Sequence, residues 1–250
     1  MEIFIKLMIF IFGASIGSFL NVLIDRLPKD EPITGRSHCD FCKKKIAWYD
    51  LIPILSYFFL KGKSRCCDKK LSFQYPIVEI LAGAAFVFVF FQGQNLLGSV
   101  LIMGILSCLM VVFFSDLKYH LISDYILVAL FIFSFLYNVM VRLAHHDIFS
   151  AIIVGLPIFL IYYISHERAM GLGDVYLAAI IGFILGWKSG YIALYIAFVT
   201  GAVYGILLMI LKDKKLKTRI AFGPFLVSGT VIMLFWGERI SDIIKGIYGF

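Results

Sequence analysis

Charge is scarce in this sequence: Asp, Glu, Lys and Arg make up 16% of its 250 residues, against 61% hydrophobic, and the mean hydropathy is +0.94. Soluble domains run near a quarter charged and half apolar, so a water-soluble fold is excluded and a polytopic membrane protein is indicated. Other signals are missing too. There is no G-x-x-x-x-G-K-[ST] loop to cradle a nucleotide and no H-E-x-x-H helix to hold a catalytic zinc. No aromatic-interleaved basic surface accompanies the net charge of +7, so that charge is not the footprint of a nucleic acid. No small-residue cleavage site closes the first apolar run, and Glu2 offsets its charge, so this run is read as a retained span rather than a signal peptide.

What is present is a series of apolar runs long enough to cross a bilayer, which takes about 17 to 25 residues each. They fall near residues 3–24, 76–92, 96–115, 125–142, 149–164, 175–187, 191–211 and 222–236. Two are short, and the pair around Trp187-Lys188-Ser189-Gly190 reads as a broken or tilted hairpin, so seven or eight spans are expected. Basic residues orient them. Arg26 to Lys70 holds eleven Lys or Arg and Lys212 to Arg219 holds five, which assigns both loops to the cytoplasm. The loops near Lys118 and Arg168 then also face inward, placing 18 of the 23 basic residues on that side and both termini outside.

Acidic residues at membrane depth are costly and count as functional candidates. Asp174 stands behind two glycines in Met170-Gly171-Leu172-Gly173-Asp174-Val175, where a polar break gives way to an apolar run. Gly171 and Gly173 allow the close approach of another backbone, which suits a peptide substrate; the alternative is a carboxylate that merely caps the next helix. Asp116 ends the third span. Two crossings separate it from Asp174, so both return to one face of the membrane although 58 residues apart. Two carboxylates within about 3 Å cannot both ionise easily and share a proton. One then acts as base on a water and the other as acid on a carbonyl, which is metal-free aspartyl peptide hydrolysis. Asp124 is the rival to Asp116, though it reads as the cap of the fourth span. The same carboxylates would serve an ion- or proton-coupled transporter, a class that inverted repeats would support, and no convincing repeat is visible. His120, four residues after Asp116, also allows a carboxylate-imidazole metal site.

Residues 29–75 form the soluble module, too small for a self-sufficient core without a staple. Cys39-Asp40-Phe41-Cys42 and the adjacent Cys66-Cys67 offer one. In a reducing cytoplasm such a set binds zinc more often than it forms disulfides. His38 and Asp68 are possible substitutes for a thiolate, and a loop held only by packing is the other reading. The fifth cysteine, Cys108, lies mid-span as a small packing residue. Gly13 to Gly17 fits the nucleophile-elbow pattern G-x-S-x-G, but that elbow needs a strand-to-helix turn, whereas small residues four apart pack membrane helices closely. Asn21 and Arg26 sit at the inner boundary of the first span. Glu79 lies one turn inside the second, as a site residue or a partner of Arg26.

These residues resemble bacterial type IV prepilin peptidases, the GxGD membrane aspartyl proteases. The matching blocks are Gly17-Ser18-Phe19-Leu20-Asn21-Val22 through Arg26-Leu27-Pro28, Cys39/Cys42, Ser72 to Glu79, Asp116, Gly171-Leu172-Gly173-Asp174 and Phe222-Gly223-Pro224-Phe225. The resemblance implies an all-α polytopic membrane protein with a first transmembrane helix at 1–24, a cytoplasmic loop domain at 25–75 and a transmembrane peptidase core at 76–250. It implies Asp116 and Asp174 as the catalytic pair, acting without a cofactor on the basic leader of prepilins or pilin-like subunits, at the cytoplasmic face of the bacterial membrane. Many relatives then methylate the new amino terminus with S-adenosylmethionine, an activity associated with the loop and its flanking spans, for which Asn21, Arg26 and Glu79 are candidates. Cys39, Cys42, Cys66 and Cys67 are the expected metal ligands. The chain departs from the family at Ser64, which takes the place of a third cysteine, and at Tyr176, where a Lys is usual.

Overall fold

The computed structural model describes every residue except 40, 94, 143–147, 169, 213–219 and 249–250. Asp40 of the first cysteine knuckle and most of the basic stretch from Lys212 to Arg219 therefore lie outside the described residues. Nine α-helices are described: α1 Glu2–Arg26, α2 Leu55–Phe59, α3 Gln74–Phe90, α4 Leu96–Tyr119, α5 Asp124–Tyr137, α6 Ile148–Ser165, α7 Leu172–Leu185, α8 Trp187–Lys212 and α9 Gly223–Tyr248. In place of strands, the described residues hold two isolated antiparallel bridges, His38 with Lys45 and Lys63 with Lys70. An all-helical answer is what lipid dictates, because each apolar segment must satisfy its own backbone. Five segments are long and apolar enough to cross: Glu2–Lys29, Leu96–Tyr119, Asp124–Val141, Ile148–Ser165 and Trp187–Leu211. Gln74–Phe90 and Leu172–Leu185 are shorter apolar helices.

The chain divides into two compact units, Met1–Val111 and Val112–Phe250. In the first, α1 packs along α3. A Cβ built on Gly13 would lie 2.9 Å from the Ala82 carbonyl oxygen, and one on Gly17 2.8 Å from the Glu79 Cα. Both glycines therefore serve close helix approach, as their spacing predicts. Ser15, the would-be nucleophile between them, is exposed and donates to the Ile11 carbonyl at 2.8 Å.

In the second unit, α7 packs against α5, α6, α8 and α9, with Leu177, Ala178 and Ile181 fully buried. Gly182 lies against the Ser150 carbonyl of α6, and a Cβ on Gly155 would meet that of Ala179 at 3.2 Å. The expected break between the sixth and seventh apolar runs is a single residue. Gly186, at φ 78°, ends α7, and Trp187 to Gly190 are already the first turn of α8.

Candidate active site

Asp116 sits in the last turn of α4 and Asp174 in the first turn of α7, 6% and 9% exposed. Each carboxylate is tied to a glycine N–H. Gly223, first residue of α9, donates to Asp116 Oδ2 at 2.8 Å inside the protein, and Gly171 donates to Asp174 Oδ2 at 3.2 Å. Asp116 and Asp174 are close enough to act on one another electrostatically. The chain between α4 and α5 is turned back by Ser115, whose hydroxyl donates to the Leu121 carbonyl at 2.8 Å, and by His120 at φ 54°.

The capping alternative for Asp174 accounts for half of its carboxylate. Oδ2 takes the N–H of Gly171, the residue preceding α7, in the manner of a capping box. Oδ1 is buried with no partner. Buried polar atoms in native structures are overwhelmingly paired, and among the described residues none supplies a donor to this oxygen. Asp124 behaves differently. It is exposed at the start of α5, where Ser123 rather than Asp124 is the residue preceding the helix.

The first unit gathers the other expected residues. Cys39, Cys42, Cys66 and Cys67 are all unbridged, and their sulfurs lie within 4.8 Å of one another. Two turns of the same design present them. Cys39 N–H donates to the Lys44 carbonyl and Lys43 N–H to the Cys39 carbonyl, both at 2.9 Å; likewise Ser64 N–H donates to the Lys69 carbonyl at 2.9 Å and Asp68 N–H to the Ser64 carbonyl at 2.8 Å. Lys43 and Asp68 share a left-handed backbone, φ 56° and 54°. Ser64 thus stands where Cys39 stands, and Cys67 where Cys42 stands. Cys66 supplies the fourth sulfur from a position without a thiol counterpart, 2.9 Å from Cys42 Sγ and 3.1 Å from Ser64 Oγ. A tetrahedral zinc with bonds of about 2.3 Å sets each sulfur–sulfur edge at about 3.8 Å. Cys39 and Cys67 already stand 3.7 Å apart, while Cys42 and Cys66 at 2.9 Å would have to open and the wider pairs, all within 4.8 Å, to close. Side-chain rotation supplies such shifts, so the donor set fits the metal. Burial pushes the Cys39 thiol up, but hydrogen bonds from Ser64 and from the backbone of Cys42 and Phe41 outweigh it and bring it down to about 6. The substitutes His38 and Asp68 are not needed. His38 Nδ1 instead meets Arg26 Nη2 at 3.4 Å.

Beside the knuckles lies a cavity of about 430 Å³ whose lining includes Asn21, Asp25, Arg26, Tyr75, Glu79 and Cys66. Arg26 is not the partner of Glu79. It clamps the loop after α1 through the carbonyls of Pro32 at 3.0 Å and Ile33 at 3.4 Å, while Glu79 Oε2 accepts the N–H of Ile54 at 2.6 Å. Ile54 holds φ 64°, an outlier for a β-branched residue. Such strain persists only where its surroundings impose it.

Comparison with known proteins now bears on this geometry. The profile of the bacterial peptidase A24 N-terminal domain matches residues 11–93, and that of the type IV leader peptidase family matches residues 103–206. The prepilin leader peptidase/N-methyltransferase of Aeromonas salmonicida (strain A449) is 30% identical over 271 residues, 94% of this chain and 91% of the relative. That of Klebsiella pneumoniae is 34% identical over 72% of this chain and 85% of its own length, and that of Bacillus subtilis (strain 168) 30% identical over 93% and 94%. The chain belongs to the type IV leader peptidase family. No solved structure matches it.

As a member of that family the chain brings Asp116 and Asp174 together in its second unit, and its four cysteines with Asn21, Arg26 and Glu79 in its first. Sequence reasoning missed Gly223 as a donor. Its signal was the Phe222-Gly223-Pro224-Phe225 block at a helix start, which carried no role until the backbone N–H was seen on Asp116. Gly173 contributes packing as well as freedom of approach, since a Cβ there would meet that of Ile122 at 3.0 Å. Tyr176 is half exposed.

Proposed function

We propose that this chain is a membrane aspartyl endopeptidase that removes the basic leader of type IV prepilins or pilin-like subunits and then methylates the new amino terminus. The observation that carries the peptidase reading is a pair of buried, electrostatically interacting carboxylates, each fixed by one glycine N–H, with Asp174 Oδ1 left for a ligand. In the reaction one carboxylate takes a proton from water as its oxygen bonds to the scissile carbonyl carbon. The other, protonated, gives its proton to the carbonyl oxygen. Collapse of the tetrahedral diol breaks the C–N bond as the carboxyl that gained the proton gives it to the leaving nitrogen and the other carboxylate takes a proton back from a diol hydroxyl, which restores the starting pair. Gly171 N–H and Gly223 N–H keep both carboxylates oriented through these transfers, the preorganisation on which such catalysis depends.

The charge pattern supports a dyad at the cytoplasmic face of the bacterial membrane, since 18 of 23 basic residues belong to the loops on that side of the eight-span reading. Methyl transfer is assigned to the first unit. Cavities of about 300 to 1,000 Å³ suit small ligands, and the orphaned Asn21 Oδ1, Arg26 and Glu79 give this one the polar groups to hold S-adenosylmethionine. When bound, that cofactor supplies an electrophilic methyl group. Cys39, Cys42, Cys66 and Cys67 would hold a structural zinc that staples the cavity wall. Incubation of the purified protein with a prepilin and labelled S-adenosylmethionine, followed by mass spectrometry of the product's amino terminus, tests both activities. Loss of the leader with one added methyl is expected; an intact leader sinks the proposal, and a cleaved, unmethylated product sinks its second half.

A further inference from the structure

The cavity of the first unit, lined on other sides by Arg26, Lys29, Lys45 and Arg65, also carries the acceptors of Asn21, Asp25 and Glu79. Asn21 is 4% exposed. Its Nδ2 donates to the Tyr75 carbonyl at 3.1 Å, and its Oδ1, buried in the same wall, has no partner. Tyr75 also locks the neighbouring carboxylate, its hydroxyl donating to Asp25 Oδ2 at 2.8 Å. One turn along α3, Glu79 is buried and its Oε2 receives the Ile54 N–H. Among the described residues no Lys or Arg forms an ion pair with Glu79.

Such an arrangement is costly when empty, because a buried carboxylate with one N–H donor and no cation is only partly compensated for its lost hydration, and a buried amide oxygen without a donor is not compensated at all. The ligand that satisfies both at once is positively charged and rich in N–H. A primary ammonium carries three donors and one charge on a single small atom, whereas a carboxylate or phosphate would be repelled. The amide of Asn21 is held in place by Tyr75, so its oxygen is pre-set and does not have to be recruited.

We propose that Asn21 Oδ1 and the Glu79 carboxylate form a receptor for a primary α-ammonium, the group that leader cleavage exposes on the mature pilin. This rests on the methyl-transfer reading for the choice of ligand, though the pair of acceptors is independent of it. The methyl donor also carries an α-ammonium, and the two sources are separable.

The test is binding without turnover. Full-length protein in nanodiscs is titrated with a peptide of the mature pilin amino terminus, free or N-acetylated, and separately with S-adenosylhomocysteine, free or N-acetylated. The wild-type protein is expected to prefer the free amine about tenfold or more in one of the two arms, as charge-assisted hydrogen bonds allow, and that arm names the source. Asn21→Leu and Glu79→Gln, each checked by its thermal melt, are expected to reduce the preference below about threefold. Equal binding of free and acetylated ligands in both arms by the wild-type protein overturns the proposal with no variant needed. So does a full preference retained in both variants. Failure of methyl transfer with the amine preference intact would remove the functional reading and leave the receptor standing.

Discussion

Replacing Gly223 by Ala places a methyl group against the Asp116 carboxylate, one of the two groups proposed to carry the chemistry. A Cβ built there lies 2.7 Å from Asp116 Oδ2, 3.2 Å from its Cγ and 3.3 Å from its Cβ, closer than real Cβ contacts allow. The Asp116 carboxylate must swing away, and the 2.8 Å hydrogen bond from Gly223 N–H is lost. Hydrogen bonds to charged groups contribute about 1.5 to 3 kcal/mol, and about 1.4 kcal/mol is tenfold in rate. A fall in kcat for leader cleavage of about 10- to 100-fold is therefore expected. Helix propensity works in the other direction, since Ala is the better helix former, and it offsets part of the overpacking cost, which the thermal melt separates from the loss of rate. Gly171→Ala is the matched control. Its Cβ would find Asp174 Oδ2 at 3.9 Å, an ordinary contact, and kcat within about threefold of wild type is expected from that spacing. Cleavage of a purified prepilin followed by gel shift, with a thermal melt of each variant, decides the matter. A Gly223→Ala enzyme within about twofold of wild type, or a Gly171→Ala enzyme equally impaired, would refute the argument.

The register of the cysteine knuckles gives a second expectation. Elemental analysis should find one zinc per chain; Cys66→Ser should lower that content, and adding Ser64→Cys should restore it because Ser64 occupies the position equivalent to Cys39. A folded, metal-free wild-type protein would contradict the zinc site, and a failed restoration would contradict the register. For helix packing, Gly17→Val drives its Cβ to within 2.8 Å of the Glu79 Cα on α3, and overpacking of that kind costs about 1 to 3 kcal/mol. A lowered melting temperature in detergent is expected; an unchanged one would show that α1 and α3 can part without cost.

The pairing of Asp116 with Asp174 was legible in the sequence, because hydrophobic runs fix the number of crossings and an even number returns the chain to one face. The Gly13/Gly17 spacing was equally readable, since only the absence of side chains lets α1 meet the backbone of α3. Where reasoning fell short, the determining contact was made by a group the sequence does not distinguish. Gly223 acts through its backbone N–H, which every residue but proline possesses. Cys66 was among the expected ligands, and it joins the cluster because the second turn repeats the hydrogen bonds of the first with its sulfur offset from the C-x₂-C register. Glu79 was open between site residue and partner of Arg26; loop carbonyls closer in sequence take the guanidinium, and the backbone of a strained Ile54 donates to the carboxylate, which removes the second reading. Asp174 was open between cap and catalyst, and the structure gives one oxygen to the cap and leaves the other without a partner.

The central claim is that Asp116 and Asp174 together cleave the leader. The most direct test is mass spectrometry of a prepilin incubated with equal amounts of wild-type, Asp116→Asn, Asp174→Asn and Asp124→Asn protein, each verified as membrane-inserted. Wild-type and Asp124→Asn proteins are expected to release the leader, and the other two to leave the precursor at full mass. Cleavage by Asp116→Asn together with none by Asp124→Asn would contradict the account, as would cleavage by Asp174→Asn.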